Sequence, residues 1–138
     1  MNNSERLDKL DKIIDELLEL CADSVLLVEG TKDRMAMTLL GVNAEYVCVQ
    51  SEGGPLKVAE RLSETKRSAI VMTDWDAKGE SIAAELEHAL ASLCVKYDRT
   101  VRSKLRSVCG GDVHDVESLP SLYSRLVTES VRRKEGNK

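Results

Sequence analysis

The stretch Ser68-Ala69-Ile70-Val71-Met72-Thr73-Asp74-Trp75-Asp76-Ala77-Lys78-Gly79-Glu80 decides how the rest of the chain is read. Its apolar run lacks polar alternation, as a strand does when a parallel sheet is covered on both faces. A helical stripe of Ile82, Leu86, Leu90 and Leu93 follows, so the segment reads as strand, loop, helix. Residues two apart at a strand end face the same way. Asp74 and Asp76 are therefore expected to aim two carboxylates at one point on the sheet's carboxyl edge. A second buried run, Val25-Leu26-Leu27-Val28, ends in Glu29-Gly30. Three acids on two strand ends suit Mg²⁺ or Mn²⁺, which bind hard oxygen donors and keep waters for a phosphate ligand. An Asp behind a strand also serves as the N-cap of the next helix, and Asp74-x-Asp76 taken alone leaves that role open.

The same rhythm extends in both directions. Ser4 is placed to cap a first helix reaching Cys21, striped by Leu7, Leu10, Ile13, Ile14, Leu17 and Leu18. This helix is expected on a sheet face, with a dimer seam as the alternative. After the strand 25–28, Thr31 is expected to cap a helix over 32–40 that ends at Gly41. A second strand over 46–49 follows. Gly53-Gly54-Pro55 opens a helix to about Thr65, with Leu56, Ala59 and Leu62 inward and Pro55 in the first turn. The third strand spans 69–73, a helix 77–93, and a short fourth strand 94–97. Helices over 101–109 and from about Ser118 to Arg133 complete the chain, with Gly136-Asn137-Lys138 a frayed tail. Alternating strands and helices imply a parallel sheet with right-handed crossovers. If Glu29 and the two Asp residues share an ion, strands one and three are neighbours and the order is 2-1-3-4. The fold class is then α/β: a Rossmann-like three-layer α/β/α sandwich on a four-stranded parallel sheet, with an extra N-terminal helix and C-terminal helices. The site falls at the topological switch point, where such sheets bind ligands.

The 138 residues are expected to form a single domain with a core at about 24–100. No Phe is present, so the core must be aliphatic. The net charge of −4 gives no bulk attraction to nucleic acid. Two basic clusters stand out: Lys96, Arg99, Arg102, Lys104 and Arg106, then Arg132, Arg133, Lys134 and Lys138. Each is either a solvated helix face or a local contact for phosphates. Cys21, Cys48 and Cys94 lie in or beside apolar runs and read as buried thiols, without metal-ligand spacing to any His. A reducing cytoplasmic setting is the expectation, with no signal peptide and no membrane partner.

Val28-Glu29-Gly30 with Asp33, and Thr73-Asp74-Trp75-Asp76-Ala77-Lys78-Gly79-Glu80, together resemble the Toprim domain. That domain is shared by type IA and type II topoisomerases, bacterial-type primases, overcoming-lysogenisation-defect nucleases, recombination mediators and the ribonuclease that matures small ribosomal RNA. The resemblance covers roughly residues 24–100. It is nearest to that ribonuclease and to small stand-alone archaeal Toprim proteins, which have a comparable Asp115-Val116-Glu117-Ser118-Leu119 stretch. It implies that Glu29 is a general acid or base and also a metal ligand, that Asp74 and Asp76 hold Mg²⁺, and that Glu80 and Asp33 are lesser members of the site. Type IA topoisomerases usually carry Glu where this chain has Lys78, a departure that removes one acid and offers a cation to a phosphate. Lys32, Lys78, Arg102 and Arg106 are the candidate nucleic-acid contacts.

Two functions follow. One is a Mg²⁺-dependent nuclease or phosphodiesterase acting on RNA or DNA. The other is a non-catalytic metal- and nucleic-acid-binding module of a larger processing assembly, acting with a protein partner or as a homodimer. A phosphatase-like or nucleotide-binding activity is a third use of the same acids. Trp75 is expected to pack beneath a neighbouring loop, or else to present a stacking surface for a base. Asp112, Asp115 and Glu117 are expected to play a structural part at the end of the domain.

Overall fold

The computed structural model describes residues 1–136. The chain runs α1 (Asn3–Cys21), β1 (Ser24–Val28), α2 (Thr31–Leu39), β2 (Tyr46–Cys48), α3 (Val49–Glu52), α4 (Pro55–Glu64), β3 (Ser68–Val71), α5 (Ala77–Ser92), β4 (Tyr97–Asp98), α6 (Thr100–Cys109) and α7 (Leu119–Gly136). The four strands form one parallel sheet in the order β2-β1-β3-β4. Leu26 pairs with Ile70 and Leu27 with Val71 across the central pair.

Both central strands are buried on both faces, which explains their unbroken apolar reading. Leu26, Val28, Ile70 and Met72 face one core with α1, α2, α6 and α7. Val25, Leu27, Ala69 and Val71 face a second core with α4 and α5. The result is a three-layer α/β/α sandwich. Among the described residues no helix is long and apolar enough to cross a membrane.

Several local expectations are corrected. Asn2, not Ser4, caps α1: its side chain accepts from Glu5 N–H at 2.8 Å. Thr31 is the first residue of α2 rather than its cap. Gly30 holds the cap position, and Asp33 reaches back to accept from Gly30 N–H at 3.1 Å. The expected second strand stops at Cys48, because Val49–Glu52 turn into the short helix α3. Gly53 and Gly54 then adopt φ of +96° and +107°, a region glycine enters without a Cβ clash. Leu56 is exposed rather than inward.

The fourth strand begins at Tyr97 instead of Cys94 because residues 93–95 close α5. Cys94 takes φ +57°, its N–H donates to Ala91 O at 3.1 Å, and Val95 N–H donates to Leu90 O at 2.8 Å. This is the paired bonding of a left-handed helix stop, and it leaves Cys94 exposed rather than buried. Cys109 is the fully buried thiol, its pKa pushed up to about 11 by loss of solvent. The expected frayed tail falls partly on Asn137 and Lys138, which lie outside the described residues.

Candidate functional site

The carboxyl ends of β1 and β3 lie side by side, and the chain beyond each carries an acid. Glu29 is buried, and its Oε2 accepts from the backbone N–H of Asp74 at 2.8 Å. Asp74 is half-buried, and its Oδ1 accepts from Val116 N–H at 2.8 Å. The two carboxyl groups lie within hydrogen-bonding reach of each other. Burial pushes the Asp74 pKa up to about 7, the Val116 N–H works against that rise, and the charges of Glu29 and Asp33 add to it. Asp33 is itself buried, and desolvation raises its pKa. Its bond from Gly30 N–H opposes the rise, while the charges of Glu29, Glu117 and Asp115 reinforce it.

Asp76 has a different partner. Its Oδ1 accepts from Gly79 N–H at 2.7 Å as the N-cap of α5, the role the spacing had left open. The side chain is exposed. The structure thus joins Glu29 and Asp74 closely, adds Asp33, and leaves Asp76 on the rim. Among the described residues no three His, Cys, Asp or Glu side chains form a ready-made metal cage.

Gly79 explains the tightness of the loop. A Cβ there would fall 1.9 Å from the carbonyl oxygen of Asp74, so the first turn of α5 presses directly on the acid-bearing backbone. Thr73 Oγ1 donates to Gly79 O at 2.9 Å, closing the same turn from beneath.

The segment before α7 supplies what the sequence did not signal. Trp75 N–H donates to His114 O at 3.0 Å, and Trp75 Nε1–H to Val113 O at 2.6 Å. Trp75 is therefore a buried packing residue, with no face left for a base. Together with the Val116 bond, these contacts seat residues 113–116 against the loop. Asp115 and Glu117 are thereby brought close enough to act on Asp33, so the stretch expected to be structural also adds charge to the site. Its distance in sequence hid that role; the alternation of Val113 and Val116 with acids was the available signal.

Arg102 corrects a further expectation. It is buried, not on a solvated basic face. Its Nε donates to Thr73 O at 2.9 Å, and its Nη2 to Asp74 O at 2.6 Å and Glu80 Oε1 at 2.9 Å. Its guanidinium is engaged by the protein, which argues against the nucleic-acid contact expected of it. Arg106 pairs with the same Glu80 oxygen at 3.0 Å, and Glu80 is held in that network rather than aimed at the acid pair. Arg99 and Lys104 pair with Glu87 and Glu16. Lys32 and Lys78 remain exposed near the helix starts of α2 and α5. Among the described residues no Lys, Arg or His comes within ion-pair distance of Glu29, Asp33, Asp74, Asp76, Asp115 or Glu117.

No protein-family model matches the chain. It is 32% identical over 126 residues to a UPF0292 protein of Thermococcus kodakarensis, covering 91% of this chain and 92% of the relative. The chain belongs to the UPF0292 family. Another UPF0292 protein, from Thermococcus gammatolerans, is 30% identical over 133 residues and matches 96% of this chain and 97% of its own length. A UPF0292 protein of Methanosarcina acetivorans is 28% identical over 123 residues, with coverages of 88% and 85%. A solved structure of a protein from Aquifex aeolicus superposes with a TM-score of 0.67 at 23% identity, covering 80% of this chain and 97% of that one. That likeness bears on the fold, and the fold agrees.

Proposed function

We propose that this chain is a Toprim-type, Mg²⁺-dependent phosphoryl-transfer protein that cleaves phosphodiesters of RNA or DNA. The observation that carries the reading is the Glu29–Asp74 pair at the sheet's switch point, Glu29 buried and Asp74 half-buried, without a cationic partner. Two like charges held in reach of each other share a proton or require a cation. Mg²⁺ suits the arrangement because it takes one or two carboxylates and fills its remaining positions with water and phosphate rather than a full protein cage. Asp74 and Glu29 would hold the ion, with Asp76 and Asp33 reaching it through water. A cation bound there supplies charge neutralisation at a phosphate and a water of lowered pKa.

The chain's own residues divide the rest of the work. With Oε2 fixed by the Asp74 N–H, Glu29 has Oε1 left to take up or release a proton. The Val116 N–H and the Arg102 guanidinium fix the Asp74 side chain and backbone respectively. Lys32 and Lys78, exposed at the same edge, are suited to phosphate oxygens of a substrate.

A second reading, a binding module without catalysis, draws support from the capture of Arg102 and Arg106 in internal ion pairs. This leaves an acidic chain with few free cations beside its site. Purified protein with Mg²⁺ or Mn²⁺, offered structured RNA, single-stranded DNA and simple phosphodiesters, separates the two. Cleavage that falls by about 10²-fold or more in Glu29→Gln fits a proton-transfer role. Salt-dependent binding with no cleavage and no response to Glu29→Gln selects the module, and absence of both activities refutes both readings.

A further inference from the structure

On the side of the molecule that carries α1 and α7, a groove of about 810 Å³ runs between α1, the end of α2 and α7. Its walls include Leu18, Leu39, Tyr123 and Val127, with Asp11 and Asp15 on the α1 side. Leu39 is 79% exposed, Leu18 38%, Val127 37% and neighbouring Val131 49%. Apolar exposure gathered at one groove marks a surface that another molecule covers. The remaining question is the chemistry of the occupant.

α7 itself supplies the answer. Its buried stripe is Leu119, Leu122 and Leu126; its outer stripe is Pro120, Ser124, Val127 and Val131, spaced as one helix face. Immediately beyond Val131 come Arg132, Arg133 and Lys134, all exposed and none within ion-pair distance of a described acid. The groove therefore wants two apolar side chains followed by positive charge, and the outer face of α7 offers that sequence. We infer that this face is a two-fold interface in which α7 of a second copy lies antiparallel over α7, its Val131 in the groove and its basic last turn against Asp11 and Asp15.

The register can be worked out. Asn3 contacts Glu129 and Tyr123 Oη donates to Asp11 Oδ1 at 2.7 Å, so α1 and α7 run antiparallel within one chain. The acids of α1 thus flank the first half of α7, and the basic turn lies at its far end, away from them. A two-fold axis at Val127 sets Val131 of one copy over Tyr123 of the other, and Arg133 over Ser121. This carries each basic turn to the other copy's Asp11 and Asp15. One patch serves both partners, as two-fold association requires. The small Ser121, Ser124 and Thr128 let the helices approach closely.

The test is the mass of the intact chain by sedimentation velocity across a concentration series. A dimer is expected, and its dissociation should be favoured by salt because the charge pairs lie at the exposed rim. Val127→Glu and Val131→Glu, both on an exposed face, should leave circular dichroism unchanged, give folded monomer, and remove the concentration dependence of melting that a dimer shows. Arg133→Glu should weaken the dimer about tenfold or more, since symmetry repeats the contact twice, and Asp15→Lys in the same chain should restore it. Val127→Cys in a Cys94→Ser background should cross-link to its own counterpart on oxidation. A monomer at every concentration, or a dimer indifferent to all of these substitutions, overturns the inference.

Discussion

Asp74→Asn is the sharpest perturbation of the acid pair. In the folded protein the Asp74 carboxyl titrates at about 7 rather than at the ordinary 3.8. Between those values the folded state keeps a proton that the unfolded chain has lost. Stability from this group is therefore greatest in acid and falls as pH rises from about 4 through about 7, the direction linkage requires when the folded state binds more protons. A rise of roughly three pH units at about 1.36 kcal/mol each sets an upper bound of about 4 kcal/mol. Asp74 is only half-buried, so solvent screening reduces this to about 2 kcal/mol. Asn keeps the oxygen that accepts from Val116 N–H, gains an N–H that can donate to Glu29, and carries no charge. At pH 8 without metal the variant should be more stable than the parent by about 2 kcal/mol. With an unfolding entropy near 2.1 cal/mol/K per residue, that is roughly 7 °C in Tm for a chain of this length. By pH 5 the difference should shrink to roughly a third of that, vanishing below about pH 4. Thermal unfolding of both proteins at the two pH values, in chelator, gives the comparison. A variant less stable at pH 8, or a difference that does not change with pH, would mean that Asp74 does not carry a raised pKa in the folded protein.

Further substitutions test the frame around the pair. Gly79→Ala puts a Cβ 1.9 Å from Asp74 O and should cost about 3 kcal/mol or more in denaturant unfolding, since backbone must move to admit it; near-native stability would contradict the close approach. Arg102→Met removes three donated hydrogen bonds from a buried cation and should destabilise by about 2–4 kcal/mol, while the salt dependence of any nucleic-acid binding stays as it was. A flatter salt slope with unchanged stability would return Arg102 to the surface role that the structure denies it. Cys94→Gly relieves the φ of +57° at the end of α5 and should raise stability by about 0.5–1 kcal/mol; a loss would mean that the thiol has a contact worth more than the strain.

The sheet order was legible because the expected convergence of Glu29 with Asp74 and Asp76 made strands one and three neighbours, and unbroken runs such as Val25–Val28 marked strands buried on both faces. The glycine pair before Pro55 was legible for a local reason: only a left-handed turn needs Gly53 and Gly54 there. The misread points were those where tertiary contact or a neighbouring residue decides. Asn2 outcompeted Ser4 as a cap two positions earlier. Cys94 entered a left-handed stop that no glycine announced, and this displaced the fourth strand. Arg102 looked like part of a solvated cluster because the carbonyls of Thr73 and Asp74 that bind it lie 29 and 28 residues away in sequence. The approach of residues 113–117 to the acid pair was obscured for the same reason, with only Val113 and Val116 among acids to mark it. Asp76 satisfied the spacing rule for convergence with Asp74, yet its cap bond to Gly79 prevailed over the alternation of an extended strand, which ends before it.

The proposed function requires Glu29 and Asp74 together to take a divalent cation. Titration of the apo protein with Mn²⁺ at pH 8, followed by electron paramagnetic resonance, measures it directly, because protein-bound Mn²⁺ loses the signal of the free aquo ion. A single class of sites is expected, displaced by Mg²⁺, weakened by at least about tenfold in Asp74→Asn and in Glu29→Gln, and weaker at pH 6, where the proton on Asp74 competes. Retention of full Mn²⁺ affinity in both variants, or no binding by the parent protein, would exclude these two carboxylates as a cation site.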